Sequence, residues 1–381
     1  MKRILLSTGG TGGHIYPALA TAKELGARGF EVAFIGQRGG MEARLVPGAG
    51  FEFHGVRAGK WHRGRPDPRQ AVQAGLGLWD AVEVVRGLKP SMVVGFGGFA
   101  SFPGLAAATA LRVPVALHEQ NAFPGKVTRW FARRAVFVAT ANEEVAVHLP
   151  FYEKKLIQVG VPVREVRLDK REARRQLGFS EMDVFTLVMG GSQGSVVLNE
   201  HVPKAFSDLM QSSPQQPLSV LHSSGERHLQ TVKSHTEGLH NYRVDSFVDA
   251  VVAWSAADLA ITRAGNGTLA EAAFHGVPLV MIPLASSAEN HQLYNARAVE
   301  AAGAGKVVEE RDLERLTATW RSLLDSKTRR RAAEAARRRS PKGAATRLAR
   351  LIDESVKALP TKDFHADETS REVAGRVQEQ R

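Results

Sequence analysis

Two glycine-rich loops, each directly after an apolar run, constrain the fold of this chain most strongly. The first, GGTGGH at residues 9–14, follows ILL at residues 4–6, and the second, GGSQG at residues 190–194, follows FTLVM at residues 185–189. A strand, a glycine turn and a helix form an anion-binding corner, because the turn and the helix N-terminus direct backbone N–H groups at a negative charge. The two loops therefore predict two α/β domains that face a charged ligand.

The remaining sequence alternates apolar strands with helical segments, which is typical of parallel sheets covered on both faces. In the first half, strands are predicted at residues 4–7, 31–35, 92–94, 115–117 and 136–138, and helices at 18–27, 105–111 and 126–133. In the second half, strands are predicted at 186–189, 219–222, 242–245, 259–262, 279–282 and 306–308, and helices at 199–210, 269–275, 290–302 and 312–324. The arginine-dense stretch 327–350 is predicted to form one basic helix.

Charge and composition narrow the classes of ligand. The chain has 51 Lys and Arg against 39 Asp and Glu, and its net charge of +12 favours nucleic acid, anionic lipid or a phosphorylated substrate as a partner. Its 0 cysteines exclude disulfides and thiolate metal sites. The uncharged stretch 92–111 contains Pro103 and several glycines. We therefore expect a strand, a glycine loop and a helix there and not a membrane span.

Neither glycine loop matches a standard nucleotide fingerprint. A G-x-G-x-x-G pattern that starts at Gly10 would need a glycine where Ile15 stands, and no acidic residue ends the second strand. The chain contains no P-loop sequence and no D-x-D metal motif. The loops alone therefore indicate an anion site without naming the anion.

Six segments together are more specific than either loop. They read GGTGGH (9–14), GFGGFASFP (95–103), HEQNAFPG (118–125), GGSQGS (190–195), TRAGNGTLAEAAFHGVP (262–278) and ENHQLYNA (289–296). In order and spacing, this set resembles the MurG family, the UDP-N-acetylglucosamine:undecaprenyl-pyrophosphoryl-MurNAc-pentapeptide N-acetylglucosaminyltransferases, over residues 2–352. The chain departs from the family pattern at Val161 and Thr128, where asparagine is common, and at residues 285–287, where Pro-His-Ala is frequent.

The resemblance implies the GT-B fold, an α/β architecture of two Rossmann-like domains with parallel sheets separated by a cleft. The implied domains are an acceptor- and membrane-facing domain at residues 1–162 and a UDP-GlcNAc-binding domain at 163–340. A helix at 341–357 is implied to return to the first domain. Residues 358–381 are polar and charged, and we expect a disordered tail there.

The implied reaction is inverting transfer of GlcNAc from UDP-GlcNAc to the MurNAc 4-hydroxyl of the lipid-linked acceptor, lipid I. No metal and no cofactor are expected, and the implied location is the cytoplasmic face of the bacterial inner membrane. Another GT-B enzyme, such as a glycolipid glycosyltransferase or a UDP-GlcNAc 2-epimerase, is the alternative. A nucleic-acid binder would account for the charge, but the chain carries no strong nucleic-acid motif.

Several residues are suited to bind the donor substrate, UDP-GlcNAc. The turn at Ser192 can offer N–H groups to the diphosphate, although a serine there also suits a plain helix N-cap. Arg164 after a proline-containing hinge can contact the nucleotide, and the Glu271 carboxylate can accept both ribose hydroxyls. The other donor contacts that the resemblance implies are Thr11, Gly12, Gly13, Asn121, Val248, Asn266, Gly267, Thr268, Leu269, Ala270 and Gln292. From the residues alone, Phe247 beside Val248 would belong to the core and Gln292 to a helix surface.

Two residues compete for the role of general base. His14 follows the first glycine loop, and a histidine can titrate near neutral pH. Glu119 ends a strand, where ligands of α/β sheets bind, and is the alternative. The glycines at Gly97 and Gly98 are predicted to form a second anion pocket, which would suit the acceptor pyrophosphate.

A lipid-linked acceptor requires contact with an anionic membrane surface. A candidate apolar patch consists of Leu76, Leu78, Trp79 and Val82, preceded by Lys60, Trp61, His62, Arg63 and Arg65. Apolar groups flanked by basic residues suit a membrane interface. The spacing of the apolar residues suits burial in a core equally well.

Overall fold

The first of two parallel sheets lies in the N-terminal half. The computed structural model describes residues 2–57, 68–191, 194–287 and 290–359. The strands of this sheet are β1 (Arg3–Ser7), β2 (Glu31–Gln37), β3 (Glu52–Val56), β4 (Met92–Gly95), β5 (Val115–Glu119), β6 (Val138–Thr140) and β7 (Leu156–Gln158), in the order β3-β2-β1-β4-β5-β6-β7. The central strands β1, β4 and β5 are buried along nearly their whole length, as expected of a parallel sheet covered on both faces.

The second sheet repeats this plan. Its strands are β8 (Val184–Met189), β9 (Leu218–Ser223), β10 (Tyr242–Asp245), β11 (Leu259–Thr262), β12 (Leu279–Met281) and β13 (Gly305–Val307), in the order β10-β9-β8-β11-β12-β13. In each sheet the strand order reverses beside the strand that precedes a glycine loop, β1 in the first and β8 in the second. Ligands of open α/β sheets bind outside the carboxyl ends of strands at this reversal. The glycine loops therefore occupy the expected binding edges.

Helices connect the strands and cover the sheets. They are α1 (Gly12–Ala27), α2 (Glu42–Gly48), α3 (Pro68–Leu88), α4 (Phe102–Ala110), α5 (Lys126–Phe131), α6 (Val145–His148), α7 (Lys170–Leu177), α8 (Val196–Ser212), α9 (Leu229–His235), α10 (Ala250–Ala256), α11 (Asn266–His275), α12 (His291–Ala301), α13 (Leu316–Leu324), α14 (Ser326–Arg338) and α15 (Ala344–Ala358). Within the described ranges, no helix has the length and apolar character needed to cross a membrane.

The last helix packs on the first. Leu348, Ile352 and Val356 of α15 are spaced four residues apart, so they share one helix face. All three join the apolar core beside α1 and the first sheet. Thr346 Oγ1 also donates to Glu24 Oε2 of α1 at 3.0 Å. The end of the described chain is thus held by its beginning.

The predicted strands are all present, with ends shifted by at most two residues. The stretch 92–111 forms a strand, a 3₁₀ turn and a helix, as predicted. The prediction of one basic helix at 327–350 is wrong. The chain breaks between α14 and α15, where Pro341 cannot continue a helix and Gly343 has a φ of 78°. The predicted domain limits at 162/163 and 340/341 stay predictions, and most of the predicted tail lies outside the described residues.

Candidate active site

A cavity of about 1890 Å³ is lined by residues from both halves of the chain. The predicted site residues that line it are Thr11, Gly12, Gly13, His14, Gly97, Gly98, Glu119, Asn121, Arg164, Val248, Asn266, Gly267, Thr268, Glu271 and Gln292. Leu269 and Ala270 instead lie on the buried side of α11, where Ala270 packs with Val161, one of the departures from the family pattern. Ser192 lies outside the described residues. Folding therefore gathers most of the predicted site at one cleft.

The first glycine loop turns β1 into α1. Gly9 and Gly10 have φ angles of 151° and 85°, a region that favours glycine. Thr11 is the N-cap residue of α1, and its side chain makes no capping hydrogen bond. The first N–H groups of α1 therefore keep their capacity to bind an anion in the cleft.

A buried carboxylate, Glu42, holds this loop from behind. The side chain is fully buried and accepts hydrogen bonds from Gly10 N at 3.2 Å and Gln37 N at 2.9 Å. A Cβ added at Gly9 would overlap Glu42 Oε1, and one added at Gly40 would lie 2.5 Å from Oε2. The glycine at position 9 thus makes room for the protein's own carboxylate. Glu42 is not among the predicted site residues, and its one signal in the sequence is an acidic residue at the start of a helix after the second strand.

The His14 side chain lies beside the second pair of glycines. His14 Nδ1 is 3.0 Å from Thr11 Oγ1. A Cβ added at Gly97 would lie 3.3 Å from the imidazole ring, and one added at Gly98 would lie 3.2 Å from it. Larger residues at either position would press on the imidazole. The glycines at 97 and 98 therefore make room for His14.

The electrostatic surroundings keep His14 neutral. Burial, and then the neighbouring His291 and His118, lower the pKa of His14 to about 4. The neutral ring carries its proton on one nitrogen. With that proton on Nδ1 and donated to Thr11, Nε2 presents a lone pair that can accept a proton.

Glu119 ends β5 with a carboxylate that is saturated by hydrogen bonds. Oε1 accepts from Asn121 N at 2.9 Å and Asn121 Nδ2 at 3.0 Å, and Oε2 accepts from Gly125 N at 3.0 Å and Thr128 Oγ1 at 2.5 Å. A carboxylate has about four acceptor positions, so none remains for a substrate proton. Thr128, another departure from the family pattern, supplies one of these donors. The geometry therefore favours His14 over Glu119 as a base and assigns Glu119 to holding the loop 119–128.

The N-termini of two helices converge on the cleft: α1, which follows a strand of the first sheet, and α11, which follows a strand of the second. α11 begins after Gly265, which has no side chain to cap it. A Cβ added at Gly267 of α11 would lie 3.9 Å from Gly13 Cα of α1. The partial positive charges of both helix dipoles meet there. This meeting point is suited to a diphosphate.

The second glycine loop has different supports. Ser195 caps α8, and its Oγ accepts from Leu198 N at 3.4 Å and from Arg263 Nε at 2.9 Å. Arg263 Nη1 pairs with Glu310 Oε1 at 2.6 Å. A paired guanidinium thus supports the second loop, whereas a lone carboxylate supports the first. The likeness of the two loops in sequence does not extend to the side chains behind them.

One end of the cleft presents groups that suit a nucleotide. Phe247 is 59% exposed and lines the cleft, so its expected place in the core is wrong. Val248 packs against the core beside it. Glu271 accepts a hydrogen bond from Trp254 Nε1 at 3.0 Å, and burial raises the pKa of Glu271. Arg164 adds an exposed guanidinium to the same cavity.

The loop after β5 crosses to the second half of the chain. Asn121 Oδ1 accepts from Asn266 Nδ2 at 2.5 Å and from Asn295 Nδ2 at 3.5 Å. The rings of Phe123 and Tyr294 stack with their centroids 5.4 Å apart. Asn121 and Asn266 are both predicted to contact the substrate UDP-GlcNAc, and here they are hydrogen-bonded directly to each other.

Gln292 faces the cleft and does not simply cover a helix surface. Its Oε1 accepts hydrogen bonds from Ala264 N at 3.2 Å and Leu284 N at 3.0 Å. These bonds orient the side chain and leave the amide nitrogen as a donor. Across the described part of the chain, no group of three or more His, Cys, Asp or Glu could hold a metal ion.

Several large apolar side chains are exposed on the first half of the chain. Trp79 is 63% exposed and Trp130 is 54% exposed, and Leu76 and Leu78 are also exposed. Val82 instead packs partly against the core. The predicted patch is therefore divided between surface and core. Its basic neighbours at 60–65 lie outside the described residues.

Two family models match this chain. Residues 4–140 match the glycosyltransferase family 28 N-terminal domain, and residues 185–351 match the glycosyltransferase family 28 C-terminal domain. The chain belongs to glycosyltransferase family 28. Of the predicted site residues, Arg164 alone lies outside the two matched segments of this family 28 member.

Relatives of this family 28 enzyme cover nearly its whole length. The UDP-N-acetylglucosamine--N-acetylmuramyl-(pentapeptide) pyrophosphoryl-undecaprenol N-acetylglucosamine transferase of Deinococcus radiodurans is 47% identical, over 96% of this chain and 99% of its own length. The protein of the same name from Thermus thermophilus is 44% identical, over 92% of this chain and 99% of its own length. The crystal structure of Acinetobacter baumannii MurG matches with a TM-score of 0.75 at 28% identity, and the match covers 93% of this chain and 100% of that chain. The resemblance to the MurG family and the GT-B arrangement are confirmed.

Proposed function

We propose that this family 28 glycosyltransferase moves GlcNAc from UDP-GlcNAc to the MurNAc 4-hydroxyl of undecaprenyl-pyrophosphoryl-MurNAc-pentapeptide. The product, lipid II, would serve peptidoglycan synthesis, and through it cell shape and division. The 47% identity to a relative whose name states this transfer supports the proposal. The structural observation that carries it is a cleft, lined by His14 and Glu271, in which the N-termini of α1 and α11 meet.

The proposed reaction forms one bond and breaks another. The acceptor hydroxyl oxygen attacks the anomeric carbon of GlcNAc on the face opposite the diphosphate, the bond from that carbon to UDP breaks, and the configuration inverts. His14 Nε2 accepts the hydroxyl proton, and the N–H groups that begin α1 and α11 stabilise the charge on the departing diphosphate. The negative charge of the bound donor favours the imidazolium that forms.

The donor and acceptor are assigned to different walls of the cleft. Glu271 accepts the ribose hydroxyls, Phe247 and Val248 receive the uracil, and Gln292 donates to the sugar hydroxyls. The remaining proposed donor contacts are Thr11, Gly12, Gly13, Asn121, Arg164, Ser192, Asn266, Gly267 and Thr268. The side chains of Leu269 and Ala270 are buried, so these two residues are not proposed as side-chain contacts. Gly97 and Gly98 are proposed to border the acceptor pyrophosphate, with His14 between the two substrates.

We further infer a peripheral position on the anionic cytoplasmic face of the inner membrane. The exposed side chains of Trp79 and Trp130 support this inference, because aromatic rings favour the boundary between headgroups and acyl chains. The net charge of +12 adds attraction to anionic lipid.

Release of UDP from UDP-GlcNAc, measured with and without lipid I, tests the proposed function. We expect release only with the acceptor, together with a lipid product that has gained one GlcNAc. Inversion at C2 of UDP-GlcNAc in the absence of acceptor would contradict the proposal and indicate an epimerase. A GlcNAc-extended product from a different glycolipid, with lipid I unused, would contradict the assigned acceptor.

A further inference from the structure

The buried indole of Trp254 hydrogen-bonds to the carboxylate of Glu271, the residue proposed to bind the ribose. Trp254 Nε1–H donates to Glu271 Oε2, with 3.0 Å between nitrogen and oxygen. Within residues 2–57, 68–191, 194–287 and 290–359, no other side chain or backbone group hydrogen-bonds to the Glu271 carboxylate. The orientation of this carboxylate therefore depends on the indole.

The two partners differ in what they can do. Trp254 is 1% exposed and belongs to the apolar core of the second sheet, so its N–H points in a direction set by packing. Glu271 is half-buried at the cleft, one turn into α11. The indole occupies Oε2, and Oε1 keeps its lone pairs for hydroxyl donors.

Burial and hydrogen bonding act on Glu271 in opposite directions. Burial raises the pKa of Glu271, and the indole hydrogen bond lowers it. A donor of this kind stabilises the ionised carboxylate, which is the stronger acceptor for hydroxyl groups. Trp254 therefore both orients the carboxylate and favours its charged form.

We propose that Trp254 is a positioning residue that makes the site selective for nucleoside diphosphates with a complete ribose. The indole N–H holds Glu271 so that its carboxylate accepts the 2′- and 3′-hydroxyls. This inference rests on the role proposed above for Glu271. Trp254 itself touches no ribose atom and acts through the carboxylate.

The test compares two ligands that differ only in these hydroxyls, UDP and 2′,3′-dideoxyuridine diphosphate. Calorimetry should show that the unmodified protein prefers UDP. Trp254→Phe keeps an aromatic ring and removes the donor. We expect it to weaken UDP binding about tenfold, the effect of one impaired charge-assisted hydrogen bond. Binding of the dideoxy ligand should change little.

Trp320→Phe is the matched control. Trp320 is fully buried in the same half of the chain, and its Nε1 has no hydrogen-bond partner among the residues that the structure describes. We expect this variant to bind both ligands as the unmodified protein does. If Trp254→Phe weakens both ligands equally, Trp254 serves packing alone and the inference is wrong.

A second readout does not require a folded Trp254 variant. The indole N–H of Trp254 should give an ¹H–¹⁵N resonance that moves when Glu271→Gln removes the carboxylate charge, whereas the Trp320 resonance stays in place. An unmoved Trp254 resonance would overturn the inference. If the unmodified protein binds both ligands equally, the proposed ribose role of Glu271 fails. If it discriminates and Trp254→Phe discriminates as strongly, the inference about Trp254 alone fails.

Discussion

At the residue scale, hydrogen-bonding capacity separates the two candidate bases. Glu119 accepts four hydrogen bonds from its own loop, whereas His14 makes one to Thr11 and presents its other nitrogen. Glutamate and histidine are both residue types that can act as a base, and only the hydrogen-bond partners of Glu119 and His14 distinguish the two. A base needs a lone pair directed at the substrate, and Glu119 has none left.

Replacing His14 by alanine is therefore expected to lower kcat about a hundredfold or more, the usual contribution of a general base. UDP affinity should stay nearly unchanged, because the backbone N–H groups of α1 remain. Steady-state kinetics and UDP calorimetry measure the two effects. His240→Ala, at an exposed histidine, is the control. Near-normal turnover of His14→Ala would remove His14 as the base.

Glu119→Gln should act mainly on the structure of its loop. An amide offers one acceptor oxygen where the carboxylate offers two, so two of the four donors lose a partner. We expect the free energy of unfolding to fall by about 1–3 kcal/mol, the cost of unsatisfied buried groups. Urea denaturation measures this change. A folded Glu119→Gln enzyme of normal stability that lost the acid limb of its pH–rate profile would instead indicate a base.

At the scale of the elements, similar strand–glycine–helix units differ in what holds them. The β1–α1 unit is held by the buried Glu42 carboxylate, and the β8–α8 unit by Ser195 and Arg263. Local sequence determines that each unit turns at glycine. The support comes from α2 in one case and from the residue after β11 in the other, so it depends on how distant segments pack.

Glu42→Gln tests whether that support matters for catalysis. The amide would direct N–H groups at Gly10 N or Gln37 N, which are themselves donors, so the loop should shift. We expect kcat to fall about tenfold or more because small misplacements of catalytic groups are costly. Kinetics with a matched Glu83→Gln variant of an exposed glutamate provides the comparison. Unchanged kcat in a folded Glu42→Gln protein would show that the carboxylate has no part in positioning His14.

At the scale of the whole molecule, packed histidines couple stability to pH. The pKa is lowered to about 4 for His14, His118 and His275 and to about 3 for His222, with burial as the first cause in each. In the unfolded chain these groups titrate near the ordinary pKa of about 6.5. Between those values the unfolded chain binds more protons than the folded protein does.

The free energy of unfolding should consequently fall as the pH drops from about 6.5 toward 4, by about 1.4 kcal/mol per pH unit for each such histidine. Urea denaturation at a series of pH values measures the slope. His222→Gln should reduce it, because one of the four titrating groups is removed. Equal stability at pH 7 and at pH 5 would contradict the lowered pKa values.

Most residues of the cleft were predicted from the resemblance to the MurG family and not from local pattern. The local pattern of the sequence determined the described strands other than β3 and β7, the glycine turns and the two-sheet plan. These features depend on neighbours along the chain, whose apolar periodicity and glycine placement can be read directly. The sequence also contains the residues that separate α14 from α15, Pro341 and Gly343. The alanines and arginines on both sides nevertheless favoured the prediction of one continuous helix.

Tertiary structure alone decided which of those residues can act. Glu42 reaches Gly10 across 32 positions, and Asn266 reaches Asn121 across 145. Leu269 and Ala270 are buried in the folded protein, and Phe247 is exposed. The acceptor positions of Glu119 are occupied by hydrogen bonds, and Trp254 donates a hydrogen bond to Glu271. Such outcomes depend on the order of strands in each sheet and on the meeting of the two sheets' binding edges, which no local pattern specifies.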